Sequence, residues 1–90
     1  MTMDEIIKEK LQRALAPESI ELYNDSHKHA GHAGDDGSGQ THYRLIIVSE
    51  RFAGLGRIDR QRLVYETLKH EMQNGIHALN VKALAPSEST

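Results

Sequence analysis

The sequence predicts a mixed α/β fold of the α+β kind: helix, strand, strand, helix, an optional further helix, strand, with a three-stranded mixed sheet covered by helices on one face. Three observations lead there. Ile7, Leu11 and Leu15, and later Val64, Leu68 and Met72, recur every four residues, the spacing of one apolar helix face. Ile20 to Leu22, Leu45 to Val48, and the alternating Leu79, Val81 and Ala83 are short runs of strand character. The second helix lies between the second and third runs, so those two strands should be parallel through a right-handed crossover. The first two should form an antiparallel hairpin across a long loop.

In chain order, Thr2-Met3-Asp4-Glu5 has the S/T-x-x-E form of a capping box, with Asp4 and Glu5 well placed against the helix dipole. Ile6 and Ala14 flank the Ile7 stripe, and the helix ends at Ala16-Pro17, because the residue before a proline is pushed out of the helical region. Ile20, Leu22 and Asn24 alternate with Glu21, Tyr23 and Asp25 as a short strand with one apolar face. Residues 26–40, rich in glycine, small residues and histidine, read as a long mobile loop. The Leu45 to Val48 run is apolar on both parities, which suits a central strand. Residues 52–57 read as a turn-like connector, and a short helical turn fits before the second long helix. Asp59 is the expected cap of that helix, and Gly75, in the left-handed conformation, its expected stop. The last strand should span 77–84 and open on His77. Residues 1–86 then form a single domain, and 87–90 a fraying polar tail.

Composition narrows the function. Ninety residues make one small domain without room for a deep substrate cavity. A net charge of −2 argues against a dominant electrostatic grip on nucleic acid or anionic membrane. With no cysteine, the chain has no disulfide, no thiol nucleophile and no metal site built from its own thiolates. Nothing resembles a signal sequence or a membrane span, so a cytoplasmic location without a membrane partner is the default. Neither a nucleophile elbow, nor a phosphate loop, nor a paired-carboxylate site stands out, and an enzyme is not expected.

Histidine is the suggestive residue. His77 sits where a helix stop meets a strand start, so its backbone is fixed on both sides while its ring can reach an edge. The plain alternative is a half-buried, hydrogen-bonded histidine. His27-x-His29-x-x-His32 matches no standard closed metal site and reads equally as a solvated loop with opportunistic metal affinity. His42, opening a strand, either orients its neighbours or serves as a lesser ligand, and His70 belongs to an exposed helix face. Arg57, Arg60 and Arg62 form a basic cluster. It could contact nucleic acid or glutathione, or be a solvated face with Asp59 and Glu66 in reach. Phe52, Tyr43 and Tyr65 are spread over three elements and suit packing more than base stacking.

His42-Tyr43 entering a strand, Val48-Ser49, Phe52-x-Gly54, Arg60-x-Arg62-Leu63-Val64-Tyr65 and Gly75-Ile76-His77-Ala78-Leu79 follow in that order. Across residues 4–86 this pattern resembles the BolA family. The resemblance implies a class II KH-like fold, in agreement with the topology above. It also implies partnership with a monothiol glutaredoxin carrying a glutathione-ligated two-iron two-sulfur cluster, in cluster trafficking or iron and redox sensing. By the same resemblance, His77 in Ile76-His77-Ala78 is one metal ligand. A second comes from the loop between the first two strands, where His29 is the best positional match and His32 lies close by. No cofactor is expected in the isolated protein, and a weak homodimer stays open. One departure is Gln61, where many members carry histidine between two arginines.

The chemistry is consistent with this. Imidazole is a good iron ligand, its replacement of thiolate raises a cluster's potential, and only its neutral form coordinates. A cysteine-free chain could join such a cluster only as a nitrogen donor. The alternative is DNA-binding transcription regulation, also attributed to some members. KH domains clamp the backbone with a G-x-x-G loop, and the connector here, Ala53-Gly54-Leu55-Gly56-Arg57, lacks that form. Gly31-x-x-Gly34 and Gly34-x-x-Gly37 have it, but between strands.

Overall fold

The computed structural model describes residues 2–25 and 42–89. Its elements are α1 (Met3–Leu15), β1 (Ser19–Asn24), β2 (His42–Val48), a 3-10 turn (Glu50–Phe52), α2 (Arg57–Thr67), α3 (Lys69–Asn74), β3 (Ala78–Leu84) and a second 3-10 turn (Pro86–Glu88). The sequence-predicted order is observed. The histidine-rich loop falls outside the described residues.

Both arms of the capping box are made: Glu5 N–H donates to Thr2 Oγ1 at 3.2 Å, and Thr2 N–H to Glu5 Oε1 at 3.2 Å. At the other end Ala16 takes φ 43, left-handed, and its N–H closes on Gln12 O at 3.2 Å. That conformation costs an alanine about 1–2 kcal/mol. Pro17 then blocks continuation.

β2 is the middle strand, antiparallel to β1 and parallel to β3. The register stacks the helix-facing side chains into rows across the sheet: Ile20, Ile47, Ala83; Leu22, Leu45, Val81; Asn24, Tyr43, Leu79. Ile7, Leu11 and Leu15 of α1, with Val64 of α2 and Leu68, close over these rows and form one core with Phe52. Tyr43 Oη donates to Asp4 Oδ1 at 2.9 Å, tying β2 to α1, and burial followed by that carboxylate pushes its phenol pKa upward.

Four boundaries differ from expectation. α2 is capped by Gly56, whose carbonyl accepts from Arg60 N–H at 3.0 Å, so Asp59 lies inside the first turn and pairs with Arg62. The single second helix is kinked at Leu68, where φ is −103 and ψ 19. The carbonyl-to-amide bonds Val64 to Leu68 and Leu68 to Met72 continue across the kink, and the Thr67 hydroxyl donates back to Leu63 O, a contact that bends helices. Gly75 has φ −170, extended rather than left-handed. Its lack of a side chain leaves room for Met3, because a Cβ there would run into the Met3 methyl group. Among the described residues the left-handed glycine is Gly54, φ 80, where the chain turns from the first 3-10 turn toward α2. Finally, β3 starts at Ala78, and Pro86–Glu88 is folded, with Glu88 held by Arg60. No described helix is long and apolar enough to cross a membrane.

Candidate functional site

Parallel strands begin at the same end of a sheet, and here that end carries two imidazoles. His42 opens β2 with Ala78, the first residue of β3, as its register partner. His77 immediately precedes Ala78, and the two rings lie 5.3 Å apart between centroids, tilted by 53°. His42 is 8 % exposed, whereas His77 is exposed and, among the described residues, has no hydrogen-bond partner for its ring. The plain alternative of a half-buried, hydrogen-bonded His77 is therefore not what is observed.

The backbone around His77 is fixed from both sides. Ile76 before it is buried, and its N–H donates to Glu71 O at 2.8 Å. Glu71, itself 4 % exposed, is bound to Lys10 Nζ of α1 at 2.6 Å. After His77 the parallel ladder with β2 begins.

The same corner joins Asp25 and His42, the described residues on either side of 26–41. Asp25 N–H donates to His42 O at 2.8 Å. The Asp25 carboxylate accepts from Arg44 Nε at 3.3 Å, and the Arg44 guanidinium lies 4.6 Å over the Tyr23 ring. A hollow of about 210 Å³ opens beside His42, lined by Asp25, Tyr43, Arg44, Ala78 and Asn80. It lies on the side of the sheet that the helices leave uncovered.

Two imidazoles bound to one ion through nitrogen, at about 2 Å per bond, have ring centres about 5 Å apart. The His42–His77 separation fits that geometry. Among the described residues no group of three or more His, Asp or Glu side chains could hold a metal alone. Two imidazoles are thus the donors that the described residues bring together at this corner. His29 and His32 lie outside the described residues.

The model of the BolA-like protein family matches residues 11–88. The chain belongs to the BolA-like family. A Sinorhizobium protein described only as lying in the cobS 5′ region is 46 % identical over 91 residues, covering 100 % of this chain and 98 % of its own. The solved structure of BolA1 from Arabidopsis thaliana superposes with a TM-score of 0.90 at 39 % identity, covering 100 % of this chain and 98 % of that one. The BolA domain of SufE1 from the same plant gives 0.87 at 38 % identity, covering 98 % of each chain. This chain spans 53 % of full-length chloroplastic BOLA1 and 23 % of SufE-like protein 1.

The remaining candidates of this BolA-like chain lie apart from the histidine corner. Arg60 is spent internally: Nε donates to Leu55 O at 2.8 Å, Nη1 to Ala83 O at 3.1 Å, and Nη1 and Nη2 to the Glu88 carboxylate at 2.5 and 3.0 Å. Arg62 faces Asp59 at 3.6 Å, and Arg57 is exposed. The three arginines do not form one free basic patch. Gln61 is half-buried on α2, and His70 is exposed, with Asn74 Nδ2 donating to its carbonyl at 2.8 Å. Sequence reasoning ranked His42 as a lesser candidate, where the structure sets its ring beside that of His77, and it placed Glu88 in a tail. The parallel pairing of the two strands was legible, but the register that sets His42 beside His77 was not.

Proposed function

We propose that this BolA-like chain is a binding module that partners a monothiol glutaredoxin. In this reading it lends imidazole nitrogen to a two-iron two-sulfur cluster shared with that partner and its glutathione, in cluster trafficking or in iron and redox sensing. The supporting observation is the exposed His77 ring, without a hydrogen-bond partner among the described residues and in contact with His42.

His77 is the fixed ligand, its backbone held between buried Ile76 and the first pair of the β2–β3 ladder. His42 stands beside it and takes the second place ahead of His29 and His32. A bound cluster supplies an electron-accepting centre whose potential is raised by imidazole ligation. The chain's own part is to present imidazole nitrogen at a rigid edge and to leave the other ligand positions to the partner. No catalytic step is assigned to it.

The test is titration of a cluster-loaded monothiol glutaredoxin with this protein, followed by visible circular dichroism. The wild type should change the cluster spectrum, and His77→Ala should abolish the change. His42→Ala should reduce it more than His29→Ala or His32→Ala. An intact spectral change with His77→Ala sinks the assignment. DNA-binding regulation has less support: the chain is net acidic, Arg60 is engaged by Glu88, and the connector around Gly54 lacks the G-x-x-G form.

A further inference from the structure

A second hollow, of about 530 Å³, lies between the start of α2 and the outer edge of β3. Arg57, Arg60 and Lys82 all line it, and the only carboxylate among its lining residues is Glu88. Three cations thus meet one anion in a chain whose net charge is −2. Among the described residues, neither Arg57 nor Lys82 has an ion-pair partner.

Arg60 is prepared for this place. The Leu55 and Ala83 carbonyls hold its guanidinium from behind, and its side chain is only 13 % exposed. What remains outward is a fork suited to two oxygens of a planar or tetrahedral oxyanion. Glu88 now fills that fork, and its Oε1 also accepts from Ala85 N–H at 2.8 Å. The seat therefore offers guanidinium and backbone donors together. Its present occupant comes from a three-residue turn near the end of the sequence and is 43 % exposed. The pair is two-pronged and backed by the Ala85 N–H, so a competing oxyanion must offer two oxygens to the same fork.

We propose that this hollow is an oxyanion-binding site held closed by Glu88 as a pseudo-ligand, and that it takes a small ligand carrying a dianionic group, a phosphate or a dicarboxylate. One charge displaces Glu88 from Arg60, and the second is met by Arg57 and Lys82. A volume of about 530 Å³ is of the size that small-molecule sites occupy. The Arg60 seat at Ala83 lies five residues along β3 from Ala78, on the order of 15 Å, while Asn80 lines both this hollow and the one beside His42.

The experiment is an NMR titration of the intact chain with inorganic phosphate and with malonate, at ionic strength held constant with sodium chloride. The Arg60 Nε–H and Ala85 amide signals report on the seat. Saturable shifts are expected, and Glu88→Gln should tighten binding about tenfold by removing the competitor. Arg57→Ala and Lys82→Ala, both at exposed side chains, should each weaken binding several-fold without disturbing the fold. Saturation by phosphate alone or by malonate alone supports the site and identifies the ligand's source. Non-saturating shifts for both anions in Glu88→Gln would overturn it. So would saturable binding that Arg57→Ala and Lys82→Ala leave unchanged, and the Arg60–Glu88 pair would then be a structural clasp only.

Discussion

Ser49 has no exposed surface, and its hydroxyl donates to Leu15 O at 2.6 Å while accepting from Arg51 N–H at 3.1 Å. Its own N–H donates to Leu84 O at 2.9 Å. One small side chain therefore joins the end of α1 to the turn after β2, while its backbone meets the end of β3. Ser49→Ala leaves the buried Leu15 carbonyl without this donor and should cost about 1–3 kcal/mol, read by urea unfolding. His77 is the opposite case. Its ring is exposed, so His77→Ala should change stability by no more than about 0.5 kcal/mol while removing the response to a cluster-loaded partner. A large loss of stability in that variant would mean that the ring is a structural group.

Among the elements, the 3-10 turn at Pro86–Glu88 depends most on charge. Arg60, followed by the Ala85 N–H, lowers the Glu88 pKa from the ordinary 4.5 to about 2. A lowered carboxylate pKa contributes stability above the ordinary value and loses it as pH falls through the folded one. The urea midpoint of Glu88→Gln should therefore lie below that of the wild type at neutral pH, and the gap should close between about pH 4.5 and 2. A gap that persists at the acid end would show that the charge on Glu88 is not its source. The turn also marks how far sequence reading extends. Repeats such as Ile7, Leu11 and Leu15 are legible because burying one helix face demands them, and the Thr2–Glu5 box because its partners are three residues apart. Glu88 finds Arg60 at a separation of 28 residues, and the Leu68 kink arises where the helix packs, so no local pattern announces either.

At the scale of the whole molecule, the core and the candidate site are separate. Leu45 is fully buried in the central strand, so Leu45→Ala should cost about 2–5 kcal/mol, measurable by chemical denaturation. A smaller loss would mean that the surrounding rows collapse into the space. The topology was legible because apolar runs on both parities marked β2 as central, and an intervening helix made β3 parallel to it. The meeting of His42 with His77 was harder to see, since it depends on pairing His42 with Ala78, and spacing along a sequence does not fix a register. That pairing has a practical corollary. Its alignment comes from a ladder seven residues long, independent of whatever chain spans positions 26–41. Foreign sequence could be grafted into that span at small entropic cost without uncoupling the imidazoles, whereas a slip of one place between β2 and β3 would part them.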